Sequence, residues 1–481
     1  MDNIKRLFVS INGRNEHKTN SRSTRETLLF TTLWVISLLM ISLPQGVKTR
    51  IGTINLPNNA APEQIRKAWG PGDAGSLMDT ALAWAKFHHI DPTTQYWIVH
   101  TWTPGMSLLE VPLIWASHIG VPMFWSLLFT TVLLWGSIFW LMWKHLSPFT
   151  GRLIALAISA MLITSWDFRY FFRDDLFYTE GLSFGLLILA LGIISWAVLI
   201  SKNKSFLFII SGTLIGLSIL IRHVSDSGLS LFTSAAVFGL VIQYRKATKI
   251  LHNSSNKKKN KQLQLTRKID LSEFSLYGPA VAGLTANLVL IPWRFVSRIV
   301  FGGPLWLLSS AGGGVGVGAW TPNSKIGFWA FSGMNWACNI DPKKCDSVYR
   351  LPQNIHNDAV RLSDAILAAI QHPMAYIKFR GHFLHSNWIP IGVHSIFSIQ
   401  VISSLVPIFL FVYGVFILIR SKTSWTNSWI WLPFLVMEFV QLLLIQYESR
   451  YFIPVRLFGL GFFISVLITQ RAKKKILLEP E

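Results

Sequence analysis

The sequence predicts an all-α protein, a polytopic transmembrane helix bundle of about 10 spans with two long extracytoplasmic loops that carry amphipathic helices. Composition is the first reason, since 51% of the 481 residues are hydrophobic and only 14% are charged. The second is that the apolar residues form long runs, which suit helices surrounded by hydrocarbon. The third is that Lys and Arg are concentrated in alternate segments between the runs.

Ten apolar runs each approach the length that crosses a hydrocarbon core of about 30 Å. They cover 28–45, 121–143, 151–166, 180–200, 205–221, 228–244, 275–292, 399–419, 428–446 and 451–469. The first run follows a polar, basic stretch and precedes no small-residue cleavage site, so we interpret it as a retained span rather than a signal peptide. Several runs are short, which predicts tilted, broken or re-entrant helices among them.

The distribution of Lys and Arg predicts that both ends of the membrane domain, 28–470, face the cytoplasm. The predicted cytoplasmic parts are the basic tail 1–27, a basic loop at about 245–270, the tail 471–481 and three short connections, and they hold more than half of the 44 Lys and Arg residues. The net charge is +21. Because its excess lies beside the anionic cytoplasmic leaflet, it indicates membrane orientation, and we expect no nucleic-acid partner.

Two long loops remain outside the cytoplasm, at about 46–120 and 293–396, and both are rich in Trp, Pro and Gly. Trp residues form interfacial belts in membrane proteins, and their flat faces can also stack on sugar rings, so both interpretations stay open. Cys338 and Cys345 lie close together in the second loop. They form either one disulfide, which would persist outside the cytoplasm, or two free thiols.

The first long loop presents Asp73 on a Pro-Gly turn. Asp79 follows Ser76 by three positions, and Glu110 follows Ser107 by three positions. This spacing predicts two helix-capping boxes that give Asp79 and Glu110 structural roles. Asp73 lies before its predicted cap and is free for chemistry. A carboxylate in such a place can accept a proton from a substrate hydroxyl. The alternative is an ordinary solvated aspartate in a turn.

A second acidic element follows the third apolar run and contains Asp174, Asp175 and Glu180, with Arg173 beside them. Charged groups at the end of a span are costly to desolvate unless they are paired. Local Arg–Asp pairing and a favourable place at a helix start form one explanation. The other is a site for an acceptor substrate or a metal ion, although the spacing specifies no metal.

Basic residues recur where apolar runs meet the same predicted side of the membrane: Arg222, His223, Arg294 and Arg450. The planar guanidinium group donates two parallel hydrogen bonds, which suits phosphate, so these residues are candidates for binding an anionic group. Snorkelling to the interface is the alternative for each of them. Glu438 lies within a predicted span, where an ionisable residue is a functional candidate.

Taken in order, these segments resemble the GT-C fold membrane glycosyltransferases, in the branch of protein mannosyltransferases and aminoarabinose transferases. The resemblance extends along nearly the whole chain, and its motifs are individually short. They are Gly72-Asp73, Thr103-Pro104-Gly105, Arg173-Asp174-Asp175 with Glu180, Leu220-Ile221-Arg222, Ile291-Pro292-Trp293-Arg294 and Glu448-Ser449-Arg450-Tyr451.

The resemblance implies a glycosyltransferase domain over 28–470 that moves a sugar from a polyprenyl-phosphate-sugar donor to a lipid, glycan or protein acceptor. It implies an inverting displacement with Asp73 as the catalytic base, and it leaves a divalent metal open as a cofactor. The long loops lack Asn-x-Ser/Thr sequons, which favours a bacterial inner membrane with the site on its periplasmic or extracellular face. A transporter or flippase of a lipid-linked or anionic substrate, and a surface polysaccharide polymerase or ligase, are the alternatives.

Overall fold

The computed structural model describes most of the chain, and its regular structure there is almost entirely helical. The described residues are 16–42, 47–48, 55–56, 59–69, 73–87, 103–174, 179–199, 205–257, 275–301, 319–322, 335–352, 355–379, 399–421, 427–444 and 452–478. One pair of two-residue antiparallel strands, β1 (Val47–Lys48) and β2 (Asn55–Leu56), lies in the first long loop. The all-α prediction is therefore confirmed for the described residues.

Besides a short helical segment at 373–379, seventeen helices of the described bundle and its loops are numbered here in chain order. They are α1 (Glu16–Ser42), α2 (Pro62–Trp69), α3 (Asp73–Phe87), α4 (Gly105–His118), α5 (Met123–Leu141), α6 (Arg152–Thr164), α7 (Trp166–Arg169), α8 (Glu180–Leu199), α9 (Ser205–Ile221), α10 (Asp226–Lys257), α11 (Tyr277–Phe301), α12 (Trp336–Ile340), α13 (Pro342–Tyr349), α14 (Ile355–Gln371), α15 (Ile399–Ser421), α16 (Leu432–Leu444) and α17 (Phe452–Leu478). Helix α5 continues through a π-helical turn, Met142–Leu146, and a last short turn, Ser147–Thr150; α7 continues through the π-helical turn Tyr170–Asp174.

Among the described residues, seven helices are long and apolar enough to cross a membrane, so this is a multi-pass membrane protein. They are α1, α5, α8, α10, α11, α15 and α17. An eighth span is formed if α6 and α7, which are bent by 53° at a short break, count as one. The remaining two predicted runs coincide with shorter apolar helices, Ser205–Ile221 and Ser428–Leu442. The count of about ten spans thus remains a prediction.

Several helices extend beyond the predicted span limits. Helix α11 runs through Pro292 to Phe301, into the segment that is predicted as the second long loop. Helix α10 continues to Lys257, into the predicted basic loop, and α1 begins at Glu16, inside the predicted tail. An apolar run ends where the chain leaves the hydrocarbon core, but the helix need not end there. Lys, Arg and Glu are good helix formers and let a helix continue into water.

Close helix packing holds the centre of the bundle. Helices α8 and α17 are the most enclosed candidate spans, because 67% and 78% of the residues in their apolar stretches are buried. Helix α9 approaches α11 at two glycines, where a Cβ on Gly212 would lie 2.6 Å from the Thr285 Cβ and one on Gly216 would lie 2.7 Å from the Val289 Cβ. Small residues at such contacts let two backbones approach closely. The enclosed centre fixes the ends of α8, α9 and α11, which carry charged residues.

The second long loop has a small core of its own. Trp320 and Trp336 are buried in it, and the Trp320 indole donates a hydrogen bond of 3.0 Å to the Arg361 carbonyl oxygen. Cys338 and Cys345 form a disulfide in this core, with Cα atoms 4.7 Å apart. Of the two alternatives that the sequence left open for the cysteines, the structure therefore has the disulfide.

Candidate functional site

A buried ion pair joins the start of α8 to the end of α9. The Arg222 Nη1 atom lies 2.9 Å from Glu180 Oε1, and both side chains are almost fully buried. The same Nη1 donates a hydrogen bond of 2.9 Å to the hydroxyl of Thr179. Arg222 has extended backbone angles, so α9 ends here and the guanidinium turns towards α8. The pair satisfies both charges in a place where an unpaired charge would be very costly.

A second buried carboxylate approaches the same arginine from α16. The Ser225 hydroxyl donates a hydrogen bond of 3.0 Å to Glu438 Oε1, and Arg222 acts electrostatically on Glu438. His223 follows Arg222 in the chain and is partly exposed at its surface, and burial followed by the positive charge of Arg222 lowers its pKa to about 3. His223 is therefore a neutral hydrogen-bonding group at physiological pH.

A third ion pair completes this group of charges. The Arg294 Nη2 atom on α11 lies 3.1 Å from Asp226 Oδ1, at the first residue of α10. Both side chains retain some exposure, at 18% and 15%. Arg294 is thus the more accessible of the two arginines with described side chains, since Arg222 is only 2% exposed. We call this group the polar cluster; it comprises Thr179, Glu180, Arg222, His223, Ser225, Asp226, Arg294 and Glu438.

A hydrogen bond and a close backbone contact hold the first long loop beside the polar cluster. The Thr103 hydroxyl donates a hydrogen bond of 3.2 Å to the Ile219 carbonyl oxygen, three residues before Arg222. Gly105 begins α4 against the same segment, and a Cβ there would overlap the Leu220 carbonyl group. Only glycine allows this approach, which explains the Thr-Pro-Gly sequence before α4.

Helix α3 lies alongside α4 and in the same direction. The Ser107 hydroxyl donates to the Leu77 carbonyl oxygen at 3.0 Å, and the Trp115 indole donates to the Ala85 carbonyl oxygen at 3.3 Å. Leu77 is one turn after Asp73, the first residue of α3. The start of α3 is therefore level with the start of α4, which is packed on the segment that precedes Arg222.

The other predicted site residues are placed as follows. Asp174 ends the π-helical turn that follows α7, and in that turn Phe171 packs on Gly181, next to Glu180. Glu180, Arg222, His223 and Arg294 belong to the polar cluster. Asp175 and Arg450 lie outside the described residues.

Both predicted capping boxes are wrong. Helix α3 begins at Asp73, so Ser76 and Asp79 lie inside it, and Asp79 pairs instead with Arg66 on α2 at 2.8 Å. Helix α4 begins at Gly105, and no side chain caps it. A Pro-Gly pair stands where each helix starts: Pro71-Gly72 directly precedes α3, and Gly105 of Pro104-Gly105 is the first residue of α4. The capping-box rule placed each start about one turn too late.

Glu110 is therefore a buried carboxyl group rather than a cap. It is fully buried in α4, and neither carboxyl oxygen has a hydrogen-bond partner among the described residues. Burial raises the pKa of Glu110 well above its ordinary value. The sequence offered one signal for this, the apolar residues on both sides of Glu110 in α4.

The bundle also contains a buried ion pair that is not among the residues predicted from the sequence. Arg456 of α17 donates two hydrogen bonds to Asp167 of α7, of 2.9 Å and 2.6 Å, and both side chains are almost fully buried. Asp226 was missed as well. Arg456 lies inside an apolar run, and an arginine in such a place predicts a buried acidic partner.

The comparisons with known proteins add no family to these observations: no protein-family model matches the chain, and no curated protein matches it significantly. In the part of the chain that the structure describes, no three His, Cys, Asp or Glu side chains are grouped so as to hold a metal ion. The fold and the site thus define a multi-pass membrane protein with a buried polar cluster at one end of its helices.

Proposed function

We propose that this protein is a membrane glycosyltransferase that moves a sugar from a polyprenyl-phosphate donor to an acceptor outside the cytoplasm. The observation that carries the proposal is the contact of α4 with the segment before Arg222. Through this contact, the start of α3, where Asp73 lies, shares one end of the bundle with Arg222 and Arg294. A residue that can accept a proton and cationic groups at one end of the bundle are the combination that this reaction needs.

In the proposed reaction, an acceptor hydroxyl oxygen attacks the anomeric carbon of the donor sugar. The bond between that carbon and the phosphate oxygen breaks, and its electron pair leaves with the polyprenyl phosphate. Asp73 takes the hydroxyl proton as the new glycosidic bond forms. Attack opposite to the leaving group inverts the configuration at the anomeric carbon.

The arginines would stabilise the charge that develops on the leaving phosphate. Each arginine is paired with a carboxylate, and Arg294 is the better direct contact because its side chain is 18% exposed whereas that of Arg222 is 2% exposed. A well-placed donor to such a charge is typically worth about 3–4 kcal/mol in a transition state. His223, being neutral, would contribute a hydrogen bond and no charge. Arg450 remains a further candidate on sequence grounds.

The acceptor side of the site is proposed to involve Asp174 and Asp175. Glu180 was a candidate for the same role, but its carboxylate already balances Arg222. We therefore propose that Glu180 fixes the arginine and that the acceptor contacts the acids before it. A divalent metal would be held on this side if one takes part, and the bacterial inner membrane is the proposed location.

Substitution of Asp73 tests the function. Asp73→Asn keeps the size of the side chain and removes its basicity, so we expect transfer of labelled sugar from a prenyl phosphate to fall by roughly 10²–10⁴-fold. Asp79→Asn is the matched control, because Asp79 lies six residues later in the same helix and is exposed. Full transfer activity in a folded Asp73→Asn protein would refute the catalytic role.

A transporter or flippase is the second candidate, and buried ionisable groups such as Glu438 and the Asp167–Arg456 pair favour it. Purified protein in sealed vesicles separates the two. Transfer of label to an acceptor, with release of prenyl phosphate, supports the enzyme. Movement of the intact donor across the vesicle membrane without release supports the transporter.

A further inference from the structure

An elongated cavity lies inside the bundle, away from the polar cluster. Four helices and Trp431 surround its empty space of about 620 Å³, which includes its opening. Nearly every lining side chain is apolar, for example Ile138 and Met142 near α5, Ile188 on α8, and Leu457 and Ile464 on α17. A partly open space with walls this apolar is a poor site for water and favours apolar ligands.

The cavity runs along the helices rather than across them. Its lining on α17 extends from Leu457 to Ile468, and on the side of α5 from Trp135 to Leu146. At 1.5 Å of rise per residue, each of these walls is about 16 Å long. The surrounding helices are candidate spans or belong to the bent pair, so the cavity lies at membrane depth.

Two polar groups in the lining lack partners. Ser195 and Trp431 are 2% and 5% exposed. Neither the Ser195 hydroxyl nor the Trp431 indole nitrogen has a hydrogen-bond partner among the described residues. Buried polar groups are nearly always hydrogen-bonded, so these two are suited to a bound molecule that carries an oxygen atom.

We propose that this cavity binds one hydrocarbon chain of a lipid, lengthwise between α5, α6, α8 and α17. Membrane depth, an apolar wall and a length of about 16 Å suit an extended chain. The chain has two possible sources with the same chemistry. One is the acyl chain of a bilayer phospholipid, whose ester oxygen would meet Ser195 or Trp431; the other is a prenyl chain. The proposal does not rest on sugar transfer, since a transporter would hold such a chain equally well.

Photo-crosslinking tests the proposal. Two probes are used on the purified full-length protein: a phosphatidylglycerol with a diazirine on one acyl chain, and a prenyl phosphate with a diazirine on its tail. Labelled peptides are mapped by mass spectrometry. We expect labels on 457–468 of α17 and on 135–146 of α5 and the π-helical turn after it. Labelling by the phospholipid alone, the prenyl phosphate alone or both identifies the source of the chain and supports the site.

A matched pair of variants on α5 tests whether the labelling depends on the free space in the cavity. Ile138→Trp fills the cavity and should reduce its labelling about tenfold, which corresponds to about 1.4 kcal/mol of binding energy. Leu133→Trp adds the same ring at a position 65% exposed and should leave the labelling unchanged. If Ile138→Trp does not fold, Ile464→Phe fills the cavity from α17 instead.

Two results would overturn the proposal. One is wild-type labelling by both probes that is confined to lipid-facing residues, with none on the cavity walls. The other is an equal loss of labelling in Ile138→Trp and Leu133→Trp, since that would show a general effect of the added ring.

Discussion

At the residue scale, the environment of Glu110 in the structure differs from the one that its sequence context predicts. Its spacing from Ser107 predicted a capping role, yet the Ser107 hydroxyl bonds to Leu77 and leaves the carboxyl group of Glu110 without a partner among the described residues. An unsatisfied buried polar group typically costs about 1–3 kcal/mol. Such a group lowers stability, and a protein retains it most readily where it serves a function.

Glu110→Gln should stabilise the protein, and more so at higher pH. Burial raises the pKa of Glu110, so the folded protein holds this proton more tightly than the unfolded chain does. Its contribution to the free energy of unfolding is therefore present below the ordinary value of 4.5 and is lost as pH rises through the raised pKa. Thermal unfolding in detergent, measured across pH, should show a higher midpoint for the variant and a flatter pH dependence.

Glu63→Gln is the control for this experiment, because Glu63 is exposed on α2 in the same loop. It should leave the midpoint and its pH dependence unchanged. A Glu110→Gln protein that is less stable than wild type at every pH would show that the ionised carboxylate is favoured in the fold.

The Asp167–Arg456 pair makes a second prediction at the residue scale. Asp167→Asn leaves a buried arginine without its counter-charge, which should cost about 3–5 kcal/mol of unfolding free energy. The double variant Asp167→Leu with Arg456→Met removes both charges and should recover most of that loss. Denaturant unfolding of the purified protein measures both values.

The exposed pair Arg350–Asp346 is the matched control, with side chains 76% and 64% exposed. Asp346→Asn should change stability by no more than about 1 kcal/mol, because water screens a surface pair. If Asp167→Asn lowers the unfolding free energy no more than this control does, the pair inside the bundle does not stabilise the fold.

At the scale of elements, the contact between α4 and α9 joins the first long loop to the bundle. Gly105→Ala places a methyl group against Leu220 and 2.6 Å from the Ile221 nitrogen, so α4 must move away. We expect loss of the proposed transfer activity together with a lower thermal midpoint. Activity and thermal unfolding of the same preparation measure the two effects.

Gly136→Ala provides the comparison for that change. A methyl group there meets only the end of the Val35 side chain at 3.0 Å, which can turn aside. Near-normal activity and stability are expected for it. Equal effects of the two substitutions would mean that the position of α4 has no special importance.

The sequence predicts the helices far better than their contacts. All ten predicted apolar runs coincide with helices, because hydropathy over many residues reports a strong physical constraint. The ends differ, as in α11, since charged residues continue a helix into water. Five members of the polar cluster were candidates from the sequence: Glu180, Arg222, His223, Arg294 and Glu438. Its partners Thr179, Ser225 and Asp226 are brought in by packing between distant helices, which periodicity does not encode.

At the scale of the whole molecule, the proposed site requires that the two long loops face the same side of the membrane. The polar cluster lies at the end of α9 and the starts of α8 and α10, and α4 of the first loop is packed against it. The positive charge is concentrated in segments that the positive-inside rule places on the other side. Sidedness is therefore the property on which the proposed chemistry depends.

Labelling of single cysteines in intact cells measures that property directly, in a protein with Cys338 and Cys345 replaced by Ser. Asp79→Cys on α3 and Arg350→Cys in the second loop are exposed positions, and a membrane-impermeant maleimide should label both from outside. Lys249→Cys near the end of the α10 span should be labelled only after the cells are opened. If Asp79→Cys and Arg350→Cys label from opposite sides, or if both require opened cells, the proposed site on the extracytoplasmic face is contradicted.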